Sequence, residues 1–144
     1  MNRYGDLLSA LRKTDLIDEF QLVTADQLAS LRKDFSGIPE DYVDFLGEIG
    51  WGTFGDGLFG IYEGPISPED IYDPITAARF RTLWLIGDDY SGYNIAFDAM
   101  RAWSIVGIDS ANMEVNLVAK TFEAFIRPKA SNLIKIRSTK KGMP

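Results

Sequence analysis

The sequence predicts an α+β domain in which a central, mostly antiparallel sheet packs with N-terminal and C-terminal helices. Apolar residues recur at helical spacing up to Gly50, short aromatic and β-branched runs separated by glycine turns follow from Leu58, and helical spacing returns after Thr121. With 144 residues, 46% hydrophobic and 12% aromatic, the chain has material for one core, and no linker, repeat or low-complexity stretch divides residues 1–144.

Leu7, Leu8 and Leu11 form a stripe with Arg12 and Lys13 in its last turn, which predicts a short first helix ending before Thr14-Asp15. Thr24 and Gln27 have capping-box spacing, Leu28, Leu31 and Phe35 continue with helical period, and Ser36-Gly37 stops the second helix. A third helix takes Pro39 as its first residue, sets Glu40 and Asp41 at the positive end of its dipole and closes at Gly50. Tyr42, Phe45, Leu46 and Ile49 share one face of it, while Glu40, Asp41, Asp44 and Glu48 lie opposite. Like charges at i, i+4 destabilise a helix by roughly 0.2–0.5 kcal/mol per pair. Nothing basic in the local sequence offsets the run Glu40, Asp44, Glu48.

Leu58 to Tyr62 reads as a strand ended by Gly64-Pro65, and Ser67 to Tyr72 as a short helix stopped by Pro74. Leu83 to Gly87 and Tyr93 to Asp98 read as strands joined through the hairpin turn Asp88-Asp89-Tyr90-Ser91-Gly92. Trp103 to Ile108 is a further strand, and Met113 to Ala119 fits neither period clearly. Thr121 to Ile126 begins a late helix limited by Pro128, and a basic segment runs from about residue 129, its Ile134 and Ile136 near a frayed end.

There is no cysteine, hence no disulfide or thiolate site, and no histidine, the side chain most used for proton transfer near neutral pH and for metal binding. Most enzyme classes lose their usual residues, and the expectation is a non-enzymatic protein with neither cofactor nor metal. No apolar run reaches eighteen residues and the N-terminus lacks the layout of a secretory signal, so a soluble cytoplasmic protein is expected.

Residues 1–119 hold eight basic and twenty acidic side chains, a net charge of −12, and residues 120–144 hold seven basic and one acidic, a net +6. An acidic body repels phosphate backbones and draws in basic partners, although acidity also serves plain solubility. The basic tail alone could touch nucleic acid or anionic lipid, but folding back on the acidic body or staying solvated is the simpler expectation.

Gly55-Asp56-Gly57-Leu58-Phe59-Gly60 spells GxGxxG, but it follows a helix and enters a strand, the reverse of a dinucleotide site, so its glycines are read as turn formers. Asp88, Asp89, Ser91 and Asn94 offer oxygens to a hard cation without the spacing of a calcium loop, and ordinary turn bonding accounts for them better. No motif singles out two of the twenty-one acids as a hydrolytic pair. Trp84, Phe97 and Phe125 read as core, whereas Trp51, Phe54, Tyr62, Tyr90 and Tyr93 flank glycines and acids, where part-exposed rings can meet Lys and Arg.

The helix Ile38-Pro39-Glu40-Asp41-Tyr42-Val43-Asp44-Phe45-Leu46, the break Gly50-Trp51-Gly52, the strand Leu58 to Tyr62 and the late Thr121-Phe122-Glu123-Ala124-Phe125-Ile126 resemble, in that order, the SMI1/KNR4 family of the SUKH superfamily. The resemblance spans about Leu28 to Ile126. It implies an α+β domain with helices around a mostly antiparallel sheet, and non-enzymatic binding: bacterial members are typically immunity proteins that neutralise polymorphic toxins, often nucleases, and fungal relatives are regulatory scaffolds. It carries over no catalytic residues and no universal contact set.

Charge and resemblance meet in one expectation, an acidic immunity protein that covers the basic surface of a toxin, most simply a nuclease domain, with no nucleic acid or membrane as partner. The residues expected to dock are Glu40, Asp44 and Glu48 on the helix, Asp56 in the glycine loop, and Asp88, Asp89, Tyr90 and Tyr93 at the hairpin. The alternative is an intracellular adaptor or scaffold that binds a host protein with no toxin involved.

Overall fold

A computed structural model describes residues 2–142, with side chains from 2 to 139. Helices α1 (Gly5–Lys13), α2 (Ala25–Asp34) and α3 (Glu40–Glu48) precede six strands, β1 (Gly52–Phe54), β2 (Phe59–Ile66), β3 (Leu83–Asp88), β4 (Tyr93–Asp98), β5 (Ser104–Asp109) and β6 (Glu114–Ala119). A short α4 (Pro74–Arg79) lies between β2 and β3, and α5 (Phe122–Gly142) closes the chain. The strands form one meander in the order β1-β2-β3-β4-β5-β6, every neighbouring pair antiparallel, so the fold is the expected α+β arrangement.

The main core lies between α1, α3 and α5 and one face of the sheet, where Tyr42, Phe45, Phe59, Ile61, Phe97 and Phe122 are almost wholly buried. A second, smaller cluster of Phe80, Leu83, Leu85, Ala96, Val106 and Ile108 occupies the opposite face, with Tyr72 packed against it. The sheet therefore has one fully covered face and one partly covered.

The local signals at the N-terminal end hold. Thr24 accepts from the Gln27 N–H and the Gln27 side chain accepts from the Thr24 N–H, a complete capping box. Thr24→Ala is expected to cost about 1 kcal/mol, readable as a lower urea midpoint at unchanged slope. Tyr42, Phe45, Leu46 and Ile49 all face the core, joined by Val43. Pro39 is the extended residue before the helix rather than its first turn.

Several boundaries differ from expectation. Phe54, expected to be part-exposed, is buried in β1, a strand that the glycine run concealed; Gly55 and Gly57, both at positive φ, make the turn into β2. β2 continues through Gly64-Pro65 to Ile66. Past Ile61 it has left β1, and a register shift before Ile66 frees it from β3 as well, so a proline removes no ladder bond there. Pro68–Asp70 is a single 3-10 turn, and Pro74 opens α4, with Asp73 accepting from the Thr76 N–H as its cap. Met113 to Ala119 resolves as β6 from Glu114.

The largest difference is α5, which runs through Pro128 and absorbs the basic segment from residue 129. Buried Phe122, Phe125, Ile126, Ala130 and Leu133 form a helical stripe that continues across the proline. Pro128 and Ala124, whose carbonyl loses its usual donor, are both exposed, so the proline sits on the solvent side of the helix. The basic side chains are part of the packed body: Lys129 Nζ lies 4.8 Å from the Phe59 ring centroid and Arg127 bonds Asp6 and Glu123. The side chains of Lys140 and Lys141, part of the basic tail read from the sequence, lie outside the described residues. Among the described residues no helix is long and apolar enough to cross a membrane.

Candidate functional site

The acids of α3 tie the start of α1 to the start of α5. Glu48 accepts from the backbone N–H groups of Arg3 (3.1 Å) and Tyr4 (2.8 Å), just ahead of α1, and Asp41 accepts from the Glu123 N–H at the start of α5 (2.9 Å). Carboxylates at helix N-termini satisfy donors the helices leave open. Asp44 pairs with Arg3 at 2.9 Å, Glu40 holds Arg32 through two bonds, and Arg3 reaches Glu123, which also binds Arg127. The cations missing from the local sequence thus come from elsewhere in the chain, and Glu40, Asp44 and Glu48 are engaged in the fold.

This clamp sets a pH dependence. The hydrogen bond from Arg127, with a further one from Arg3, holds the Glu123 carboxyl below the ordinary glutamate range, and Arg127 and Arg32 do the same for Asp6 and Glu40. A carboxyl depressed in the folded state stabilises it above the unfolded pKa, and that contribution is lost as pH falls through the folded value. The thermal midpoint is expected to drop as pH falls below about 4.3, the ordinary glutamate value, and Glu123→Gln to drop it less over the same interval.

The hairpin acids sit on the other side of the molecule. Thr53, Gly60, Asp88, Asn94, Ile108 and Val115 form one row across the sheet, each the register partner of the next. Ile108 belongs to the second cluster, so the row lies on the face away from α3. Here Asp88 accepts from the Tyr62 hydroxyl at 2.6 Å and the Tyr90 N–H at 2.9 Å, while Asn94 donates to the Tyr62 oxygen at 3.3 Å. Burial, reinforced by Asp88, drives the Tyr62 hydroxyl well above the ordinary tyrosine range, so it remains a donor.

Tyr90 lies over Gly60, where any Cβ would overlap its hydroxyl, and that hydroxyl shares a 2.6 Å bond with Thr53. Its backbone is left-handed (φ 63°) and 56% of the residue is exposed. A tyrosine in that conformation is strained, and the strain persists because neighbours fix the ring. Burial tends to raise the Asp89 carboxyl, but bonds from the Ser91 and Tyr93 N–H groups outweigh it and hold it low. This is the turn bonding expected of those oxygens. Tyr93 departs from the group: its ring packs against Gly107 and the main core, on the helical face. Asp56 is exposed at the β1–β2 turn.

Two concave surfaces escaped the sequence reading. Between α2 and the free length of β2, Asp26, Asp34 and Glu63 ring a floor of Val23, Leu31, Pro65 and Ile66 in a cleft of about 410 Å³ with no basic lining residue. Reading Gly64-Pro65 as the strand end hid it, and no spacing links Asp26 to Glu63. At the β6 side, a groove of about 670 Å³ has Leu83, Val106 and Leu117 in its lining and Arg79, Arg101 and Lys120 around it, with buried Asp98 and Ser104. Arg101 approaches Asp98 at 3.6 Å.

The eight residues expected to dock therefore divide into Glu40, Asp44 and Glu48 on the helical layer, Asp88 and Tyr90 on the open sheet face, Asp89 in the turn beside them, Asp56 at the neighbouring hairpin and Tyr93 on the helical face. Carboxylates crowd the β1–β2 side, and the arginine-bearing groove lies toward β6. No family model, curated protein or solved structure matches the chain.

Proposed function

We propose that this chain is a non-enzymatic protein-binding domain, an immunity protein of the SMI1/KNR4 kind that neutralises a basic toxin, most simply a nuclease domain, by covering its nucleic-acid surface. The reading rests first on the resemblance in sequence. The structural observation that supports it is the preorganised set Asp88, Tyr62 and Tyr90, an exposed tyrosine on a left-handed backbone beside a carboxylate already fixed in place. A Lys or Arg arriving there meets charge and a ring face together without ordering loose side chains first. The cleft of Asp26, Asp34 and Glu63, between α2 of the helical layer and β2, offers a second cationic seat near the same β1–β2 edge of the sheet.

In this mechanism the acidic body steers encounter and the desolvated rings slow release, so inhibition is steric and electrostatic. The helix α3 acids, engaged internally, contribute to stability rather than to the interface. The test is coexpression with the product of the adjacent open reading frame, the proposed toxin, followed by purification through a tag on it. A stoichiometric complex that silences the toxin is the expected result. No complex, with the toxin active, would overturn the immunity reading.

A further inference from the structure

The groove at the β6 side is polar at one end and apolar at the other. On the open sheet face the register sets Leu83, Asp98 and Ser104 in one row and Leu85, Ala96, Val106 and Leu117 in the next. Ile108 and Val115 follow, with Met113 packed against the same cluster. The cations gather at the first row. Arg79 precedes Phe80, whose carbonyl receives the Leu83 N–H, Arg101 reaches Asp98, and Lys120 follows Ala119, the partner of Ile105, and so comes level with Ser104. The acids there are engaged or turned away. Asp98 faces Arg101 and accepts from the Met100 N–H at 3.1 Å, and Glu114 is the partner of Asp109, whose other partner Tyr93 packs on the helical face. Arg79 and Lys120 make no ion pair among the described residues. Ser104 lines the groove with only 9% of its surface exposed, and its hydroxyl has no hydrogen-bond partner among the described residues. Buried hydroxyls are as a rule paired, because an unpaired one has lost its water for nothing in return.

We propose that this groove binds a small amphiphilic carboxylate, its head held by Ser104, Arg79 and Lys120 and its apolar tail laid over Val106 and Leu117 toward Met113. Charge and volume select that occupant. A hydroxyl, a guanidinium and an ammonium all donate to a carboxylate, and bonds to an ionised acceptor are the stronger kind. Leu117, left 67% exposed, gains cover from the tail. The volume of about 670 Å³ falls in the range of small-molecule sites, about 300–1,000 Å³. A protein segment rich in acids would be opposed by a chain of net charge −6, whereas a single carboxylate responds to the charges within a Debye length, about 8 Å. The groove lies toward β6, away from the β1–β2 side, so the inference stands apart from the immunity reading.

Titration of the isotope-labelled full chain, followed by amide chemical shifts, tests the site. Octanoate is expected to saturate with a Kd below about 1 mM and to shift Ser104, Val106 and Leu117, while acetate, the head alone, and octanol, the tail alone, bind at least about tenfold more weakly. Arg79→Gln/Lys120→Gln changes two exposed residues, and the same spectra verify that the variant is folded. It should weaken octanoate at least about tenfold and leave octanol unchanged, and Ser104→Ala should weaken octanoate as well. No saturable shift at ~10 mM octanoate, octanol binding as tightly as octanoate, or a double variant that binds octanoate like wild type would each overturn the proposal. So would tighter binding of a peptide of alternating glutamate and leucine, which would give the groove to a protein partner.

Discussion

Phe122→Ala is expected to destabilise the protein by about 3–5 kcal/mol, the largest effect of any single truncation considered. Phe122 is fully buried at the first residue of α5 and joins three parts of the fold in one cluster. Its ring centroid lies 5.1 Å from Tyr42 and 5.3 Å from Phe45 on α3, 6.3 Å from Phe97 on β4 and 6.2 Å from Phe125 on its own helix. Removing it takes away the transfer free energy of the ring and leaves a void whose walls belong to separate elements and cannot collapse together. Because small domains have only about 5–15 kcal/mol in hand, the variant should unfold at a urea concentration lower by about 2 M. A loss under about 1 kcal/mol would mean that α5 does not dock as described.

Gly50→Ala should cost about 3 kcal/mol by a different route, through the backbone. Gly50 has φ +106°, outside the region that residues with a Cβ adopt comfortably, and an added Cβ would overlap the Gln21 carbonyl. That carbonyl receives the Trp51 N–H, so the substitution strains the turn after α3 and also loosens the cover over the β1 edge. Gly57 supplies the control. It too has positive φ, at +84°, yet nothing lies within 4 Å of where its Cβ would be. Gly57→Ala should therefore cost only the backbone term, about 1 kcal/mol. Equal denaturation midpoints for the two variants would contradict the close approach at Gly50.

What could be read from the sequence was what neighbouring residues decide together. The capping box of Thr24 and Gln27, the buried face of α3 and the β3–β4 hairpin each depend on residues a few positions apart, so their periods and turn residues announce them. The same proximity misled at Pro128, where a local rule ended a helix that burial of Ala130 and Leu133 sustains. The meaning of the acidic stripe was invisible for the complementary reason. Glu40, Asp44 and Glu48 look unopposed along the chain, yet Arg3 lies 41 residues from Asp44, and the backbone donors held by Glu48 lie as far away.

The candidate site shows the same division. Asp88, Tyr90 and Asp89 belong to one turn and stay together, and alternation would have sent Asn94 to the face of Asp88 and Tyr93 to the other. Tyr62 comes to Asp88 only because β2 pairs with β3, and Asp26, Asp34 and Glu63 converge only because β2 outlasts its partner strand and runs beside α2. Nonlocal pairing of that sort leaves no spacing signal.

The most direct measurement of the binding claim is the association rate of the proposed toxin partner, the product of the adjacent open reading frame, with three charge-neutralised forms across a salt series. Asp88→Asn/Asp89→Asn keeps an oxygen for each turn bond while removing charge, and Asp26→Asn/Asp34→Asn/Glu63→Gln does the same in the cleft. Glu40→Gln/Asp44→Asn/Glu48→Gln tests the clamp. At low salt the hairpin and cleft forms should associate about tenfold more slowly than wild type and converge with it as salt rises, because steered encounter is screened. The α3 form should associate normally but melt earlier. A rate and salt dependence unchanged in the hairpin and cleft forms, or lost chiefly in the α3 form, would contradict docking at the β1–β2 side.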